Sequence, residues 1–383
     1  MVDTVLLTLP AGTFEVADHA YNRFTPSARN FFYVPYPVFG RNCTLVKAVC
    51  NPTTEDKKLG YFPYLTLCRA VRQGGIVTYL QVRFSAPKLL YLNNVDELTE
   101  ADFEAVCEKL SMRLAYFGIR VHSLDVLRNA IVSSIHYGKN IPLTDYSVPS
   151  MYLHQLSKVN ASAWYDLNQV DYRNGGYALK LHTKSWELCL YDKRKDHEQA
   201  KKSDERTISR DNSMQLTLFD DRPIQRPFEL LRIEARYNSR PRIKTLLRTL
   251  GKEATDLTFA RLFSADIARR ALLDEVSRLR SIYPTMASVP KQSAIELLTD
   301  LRISSPGSTF RQRMLALAYH TVLTEIGPRE LRTIGIEKPS EWHKFQQSMK
   351  PLKVGSQLPD PFALLERSIK DDGPFKLIAY EKA

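Results

Sequence analysis

Residues 76–85 (IVTYLQVRFS) set Leu80, Val82 and Phe84 against Gln81 and Arg83, the alternation of a half-buried strand. Thr99 then opens a helix with Glu100 and Asp102 in its first turn. Phe103, Val106, Cys107, Leu110, Leu114 and Phe117 share one helical stripe, and Gly118 supplies the stop. A strand over 129–137 completes a strand–helix–strand unit. GGYALKLHT and WELCLYDK, within 175–193, predict a hairpin turning near Lys184 and Ser185. The charged stretch 194–226 reads as a solvated helix or loop. At 228–237 (FELLRIEARY) Leu231, Ile233 and Ala235 point one way, and Arg232, Glu234 and Arg236 the other.

After Gly251 the period changes. Ser264 caps a helix carrying Ile267, Leu272, Val276 and Leu279, and another runs over 309–326 before Gly327. Shorter helical stretches fall near 292–302 and 339–349, and Pro and Gly thicken after 350. No internal repeat is visible. The pattern predicts an α+β protein: a mainly antiparallel N-terminal sheet with helices packed on it over 1–250, an all-helical domain over 255–350, and a loosely structured tail over 351–383.

Composition narrows the class. With 383 residues, 44% hydrophobic and 25% charged, the chain suits one large or two ordinary globular domains, not a disordered or collagen-like one. No apolar run approaches the roughly 18–20 residues that span a bilayer. The N-terminus lacks the basic start and cleavage site of a signal peptide, so a cytoplasmic protein with no membrane partner is expected. Charge adds the first functional clue. The formal net charge is +12, and residues 151–270 hold 23 basic against 16 acidic groups, a balance that suits a polyanion such as nucleic acid.

Several chemistries lose ground. The five cysteines are never closer than seven residues, which argues against a structural zinc site and for reduced thiols. The eight histidines include no His-x-His or His-x-x-x-His pair. There is no Walker-type loop, no G-x-G-x-x-G and no G-x-S-x-G elbow. What remains lies on the middle strands: Leu190-Tyr191-Asp192-Lys193 with Asp196 beyond, and Leu231-Arg232-Ile233-Glu234-Ala235-Arg236. If these strands share a sheet, a tyrosine, carboxylates and cations converge. Carboxylates suit Mg²⁺ or Mn²⁺, arginines suit phosphate oxygens, and tyrosine is a nucleophile toward phosphorus.

Phe84-Ser85-Ala86-Pro87-Lys88-Leu89-Leu90-Tyr91-Leu92-Asn93-Asn94 resembles the "S-P-x-K-x-L-x-G-x-N" segment of filamentous-phage replication initiators. Val132-Ser133-Ser134-Ile135-His136-Tyr137 is similar to their "V-x-R-I-D" strand, Tyr191-Asp192-Lys193 with Asp196 to "Y-D-K-x-x-E", and Leu231–Arg236 to "L-R-x-E-x-R". Order and spacing agree over about residues 75–250. The family resembled is that of rolling-circle replication initiators, metal-dependent endonucleases that nick one strand and stay joined to its 5′ end through tyrosine. The chain departs from it with Ser134 for the arginine, His136 for the aspartate and Asp196 for the glutamate.

The resemblance implies origin-specific nicking and religation for a phage or plasmid. Tyr191 is then the nucleophile, with Tyr137 and Tyr177 in reserve. Lys193 and Arg232 assist at the phosphate. Glu234, Asp192, Asp196 and His136 are candidate ligands for Mg²⁺ or Mn²⁺. Arg236, Arg240, Arg242, Lys244 and Arg248 are candidate DNA contacts, with a candidate helix-turn-helix around Gly327. The implied partners are origin DNA, single- or double-stranded, a second copy in a homodimer and a host helicase. The rival reading is a DNA-binding replication regulator or repressor that uses the same surface without chemistry.

Overall fold

The structure is a computed structural model that describes residues 1–26, 45–72, 75–144, 147–159, 171–173, 177–196, 228–283, 293–335, 339–354, 360–371 and 373–377. The expected solvated stretch at 194–226 falls almost wholly outside the described residues. The fold is α+β, as its sequence predicts. Ten strands form one sheet in which every pairing is antiparallel: β1 Val2–Pro10, β3 Thr25–Pro26, β4 Leu45–Cys50, β5 Tyr64–Arg72, β6 Gly75–Ser85, β8 Ile131–Leu143, β9 Asp171–Arg173, β10 Ala178–His182, β11 Trp186–Asp192 and β12 Glu229–Tyr237. Two short strands, β2 Phe14–Val16 and β7 Ile119–Val121, pair beside it.

The spatial order β3-β4-β5-β6-β1-β8-β12-β11-β10-β9 contains a repeat that the sequence hides. In each half the first strand (β1 or β8) lies at the centre. The chain then crosses to the edge (β3 or β9) and walks inward until its last strand (β6 or β12) pairs with the first. Each last strand runs into a helix with a serine at its N-cap and a proline in the first turn: Ser85 before Ala86–Tyr91, and Ser239 before Arg240–Thr249. Proline suits that turn because it has no N–H to leave orphaned.

One sheet face is apolar and covered by helices. Val5, Leu7, Leu80, Val82, Phe84, Ile135, Leu188, Leu190, Ile233 and Ala235 are all fully buried there. They join a core that includes Val106, Leu110 and Leu114 of the helix Phe103–Tyr116. That core does not stop near residue 250. The helix Ala265–Ser281 packs on β8 and β12 through Ile267, Leu272, Val276 and Leu279, and its Ser264 cap accepts the Ile267 N–H as expected. Within the tail expected to be loose, the described segment Pro361–Lys370 is instead a helix that buries Phe362, Leu365 and Ile369 in the same core. Asp360 caps that helix, so its proline marks a start and not a break.

A separate cluster of Leu297, Leu301, Ala316, Tyr319, Leu323, Trp342, Met349, Leu352 and Val354 holds the remaining helical unit together. Gly327, at φ 80° and ψ 164°, breaks the Phe310–Gly335 segment in two, a conformation that essentially only glycine adopts. Among the described residues no helix is long and apolar enough to cross a membrane.

Behind the sheet, the Tyr237 hydroxyl donates to Glu275 Oε1 at 3.0 Å, and burial raises the Glu275 pKa to about 7. A carboxyl with a raised native pKa costs stability as pH climbs from its unfolded value toward the native one. Glu275→Gln, which still accepts the tyrosine hydrogen bond, is therefore expected to stabilise the protein by about 2–4 kcal/mol at pH 8. The gain should vanish near pH 4, and denaturant melts at the two pH values measure it. An equal effect at both would show that the carboxyl is not held protonated.

Candidate active site on the open sheet face

β12 organises the other face. Arg232, Glu234 and Arg236 point away from the covering helices, and register fixes their neighbours. On β11 they face Tyr191, Cys189 and Glu187, and on β8 they face Asn140, Gly138 and His136. Gly138 makes room for Arg232: a Cβ there would lie 2.9 Å from Arg232 Nη2.

Glu234 is 2% exposed, and both of its oxygens are engaged. Oε1 accepts from Arg236 Nε at 3.1 Å and lies 3.3 Å from His136 Nδ1. Oε2 accepts from Arg236 Nη2 at 3.2 Å and from the Tyr191 hydroxyl at 3.3 Å. Burial opposes ionisation, but Arg236, His136 and Arg232 outweigh it and hold the carboxyl well below its ordinary pKa. His136 also meets Asn238 Oδ1 through Nε2 at 3.2 Å, so both ring nitrogens are anchored.

Arg232 is buried by design of its surroundings. Nη1 donates to Asn140 Oδ1 at 3.0 Å and to the Asn94 carbonyl at 3.3 Å, and Nη2 pairs with Asp3 Oδ2 at 3.3 Å. Nε has no hydrogen-bond partner and lies 4.0 Å from Glu234 Oε2. Asn140 is held in turn by the Val95 carbonyl, while its N–H donates to the buried Glu97. The chain near 375 closes this buttress, since the Phe375 N–H donates to Glu97 Oε2 at 3.1 Å.

Tyr191 and Lys193 line a cleft of about 370 Å³ together with Arg83, Lys180, Lys195 and Arg236. These five cations come from β6, β10, β12 and the helical turn 193–196 that follows β11. Lys193 is 3% exposed, and its Nζ lies 5.5 Å from the centre of the Tyr191 ring. Burial, helped by Arg232, lowers the Lys193 pKa to about 8. Burial and the Glu234 charge hold the Tyr191 phenol well above its ordinary value, with Arg232 opposing them. Such a cleft can seat a phosphodiester, because guanidinium and ammonium groups match phosphate oxygens.

The structure brings Tyr191, Lys193, Glu234, His136, Arg232 and Arg236 together, with Asp196 on the rim. Other expected members fall elsewhere. Asp192 follows Tyr191 in a strand, so it points to the opposite face, where its Oδ1 accepts the Arg194 and Lys195 N–H groups at 3.0 Å each. Asp196 is tied to Lys193 at 3.9 Å and is 59% exposed. Arg242 stacks on Trp186 at 4.2 Å on the helical side. Arg240 donates to Ser133 Oγ at 3.0 Å, and Lys244 and Arg248 lie on the Arg240–Thr249 helix outside the cleft. Of the reserve tyrosines, Tyr177 lines the cleft, whereas Tyr137 is fully buried and donates to the Leu262 carbonyl at 3.0 Å.

These side chains do not fit a divalent cation as placed. Among the described residues no three His, Cys, Asp or Glu side chains gather in metal-binding geometry. Glu234 is saturated by cations and a phenol, and a doubly charged ion about 4 Å from a guanidinium meets roughly 8 kcal/mol of repulsion at an effective dielectric near 20.

Sequence reasoning missed Asp3, Asn94, Asn140, Arg83, Lys180 and Lys195. Arg83 and Lys180 carried a signal, being polar members of alternating strands, but nothing local shows that β6 and β10 border one cleft. No family model, curated protein or solved structure matches this chain.

Proposed function

We propose that this chain initiates replication of a phage or plasmid by nicking and rejoining a DNA strand, with Tyr191 as the nucleophile. One observation carries the reading: the Tyr191 side chain shares a cleft with five cations drawn from three strands and the turn that follows β11. Phosphate oxygens seated on Arg236, Lys193 and Lys180 would lie beside the phenol, with the buried charge of Arg232 opposite Tyr191 in register. The resemblance over residues 75–250 supports the same chemistry. The test is incubation with supercoiled DNA carrying the origin of the element that encodes the chain. Relaxed circles bearing covalent protein are the expected product.

The regulator reading has its own support, because the free protein holds the Tyr191 phenol well above its ordinary pKa. A mobility shift without nicking, with and without divalent ions, would select it.

Either reading predicts how salt acts on binding. Each phosphate that is no longer neutralised should make the slope of log affinity against log salt shallower by about 0.7–0.9. Lys180→Ala with Lys195→Ala is therefore expected to reduce the slope by about one to two units. Lys244→Ala with Arg248→Ala, outside the cleft, should leave it unchanged. The reverse pattern in a fluorescence titration would move the DNA path onto the helices.

A further inference from the structure

The feature that sets this site apart from its sequence-based expectation is the state of Glu234. The best-placed metal ligand in the sequence spends both oxygens on Arg236, His136 and Tyr191, within 3.3 Å each. The two aspartates expected to help do not join it. Asp192 lies on the opposite face capping the next turn, and Asp196 is an exposed residue at the rim. What does gather at the phenol is positive charge on nitrogen: Arg232 opposite Tyr191 in register, Arg236 further along the same strand face, and Lys193 over the ring. Arg232 Nε is buried with Glu234 Oε2 4.0 Å away, so this guanidinium acts on the phenol through its charge from beneath the cleft.

We propose that strand transfer at Tyr191 needs no divalent metal, and that Arg232, Arg236 and Lys193 supply the positive charge a metal would bring. The inference rests on the nicking reading and specifies how that site works. In the step, the Tyr191 hydroxyl oxygen attacks phosphorus and forms a phosphotyrosyl bond as the bond to the 3′ oxygen breaks. The phenol passes its proton to water in the open cleft, and the leaving 3′ oxygen takes one up from the same solvent, so the protons balance. One ester is exchanged for another, so religation is the same step reversed and no co-reactant is consumed. The cations stabilise the extra negative charge on the phosphoryl oxygens in the transition state. Glu234 acts as a positioning residue, fixing Arg236 and the phenol against each other.

The experiment uses the full chain and single-stranded DNA carrying the origin of the element that encodes it, labelled at its 3′ end, so that a 5′-phosphotyrosyl adduct retains the label. Initial adduct rates are compared in excess EDTA and in Mn²⁺. The expected result is agreement within about threefold, with the Arg236→Gln rate in EDTA lower by about a hundredfold. Calorimetric titration of the unmodified protein with Mn²⁺ alone should show no saturable binding, a readout that does not depend on the variant folding. A rate that falls more than about threefold in EDTA and returns with Mn²⁺ overturns metal independence and leaves the nicking reading standing. An adduct in neither condition overturns the nicking reading, and the inference with it.

Discussion

Replacing Tyr191 by phenylalanine is expected to abolish the covalent protein–DNA adduct while DNA affinity stays within about twofold of the parent. The substitution removes only the hydroxyl and its 3.3 Å hydrogen bond to Glu234. A neutral hydrogen bond contributes about 0.5–1.5 kcal/mol, so stability should change little. The five cations of the cleft remain in place, and they carry the affinity. Denaturing gels of protein incubated with end-labelled DNA give the adduct, and filter binding gives the affinity. An adduct that survives would transfer the nucleophile to Tyr177, which lines the same cleft; Tyr137 is fully buried with its hydroxyl donated to the Leu262 carbonyl.

The second large effect falls on stability. Glu234→Gln removes the carboxylate that lies 4.0 Å from Arg232 and 3.1 Å from Arg236, leaving Asp3 beside the first and Glu187 beside the second as their remaining counter-charges. Breaking a buried ion pair from one side costs about 3–5 kcal/mol, because the remaining charge stays desolvated. The pH dependence has a definite sign. The native pKa of Glu234 is depressed, so its contribution is fully present above the ordinary carboxyl value of 4.5 and is lost as pH falls through the lower native value. Wild-type and variant should therefore differ most at pH 7 and converge on acidification. Adding Arg236→Gln to the variant should recover part of the loss, since the cation that has lost its nearer partner goes too, leaving Glu187 with Lys180. Urea melts across pH measure all three curves, and a constant difference down to pH 3 would remove the charge explanation.

Much of the sheet was legible because one face is buried. Leu80, Val82 and Phe84 against Gln81 and Arg83, and Leu231, Ile233 and Ala235 against Arg232, Glu234 and Arg236, report the two faces directly. The same alternation should have separated Tyr191 from Asp192, since neighbours in a strand cannot share a face. The motif resemblance joined them, and strand geometry parts them.

β8 runs longer than its hydrophobic pattern, from Ile131 to Leu143, across Gly138 and Pro142. Gly138 still exchanges hydrogen bonds with Met1, and beyond it the strand pairs only with β12, an edge-like position where Pro142 is tolerated. The tail misled for a related reason: proline reads as a breaker, yet at the first turn of Pro361–Lys370 it begins a helix. The domain boundary near 250 could not be read locally. The stripe of Ala265–Ser281 shows an amphipathic helix but not the sheet it covers. The duplicated topology and the cations of the cleft are likewise products of long-range pairing, in which residues as distant as Arg83 and Arg236 reach one cavity.

The central claim is that Tyr191 carries the chemistry of this cleft, and peptide mapping of the trapped adduct tests it most directly. After nuclease digestion and proteolysis, mass spectrometry should place the nucleotide remnant on the peptide containing Tyr191. A remnant on any other tyrosine, or none after incubation with origin DNA that the protein demonstrably binds, would contradict the account.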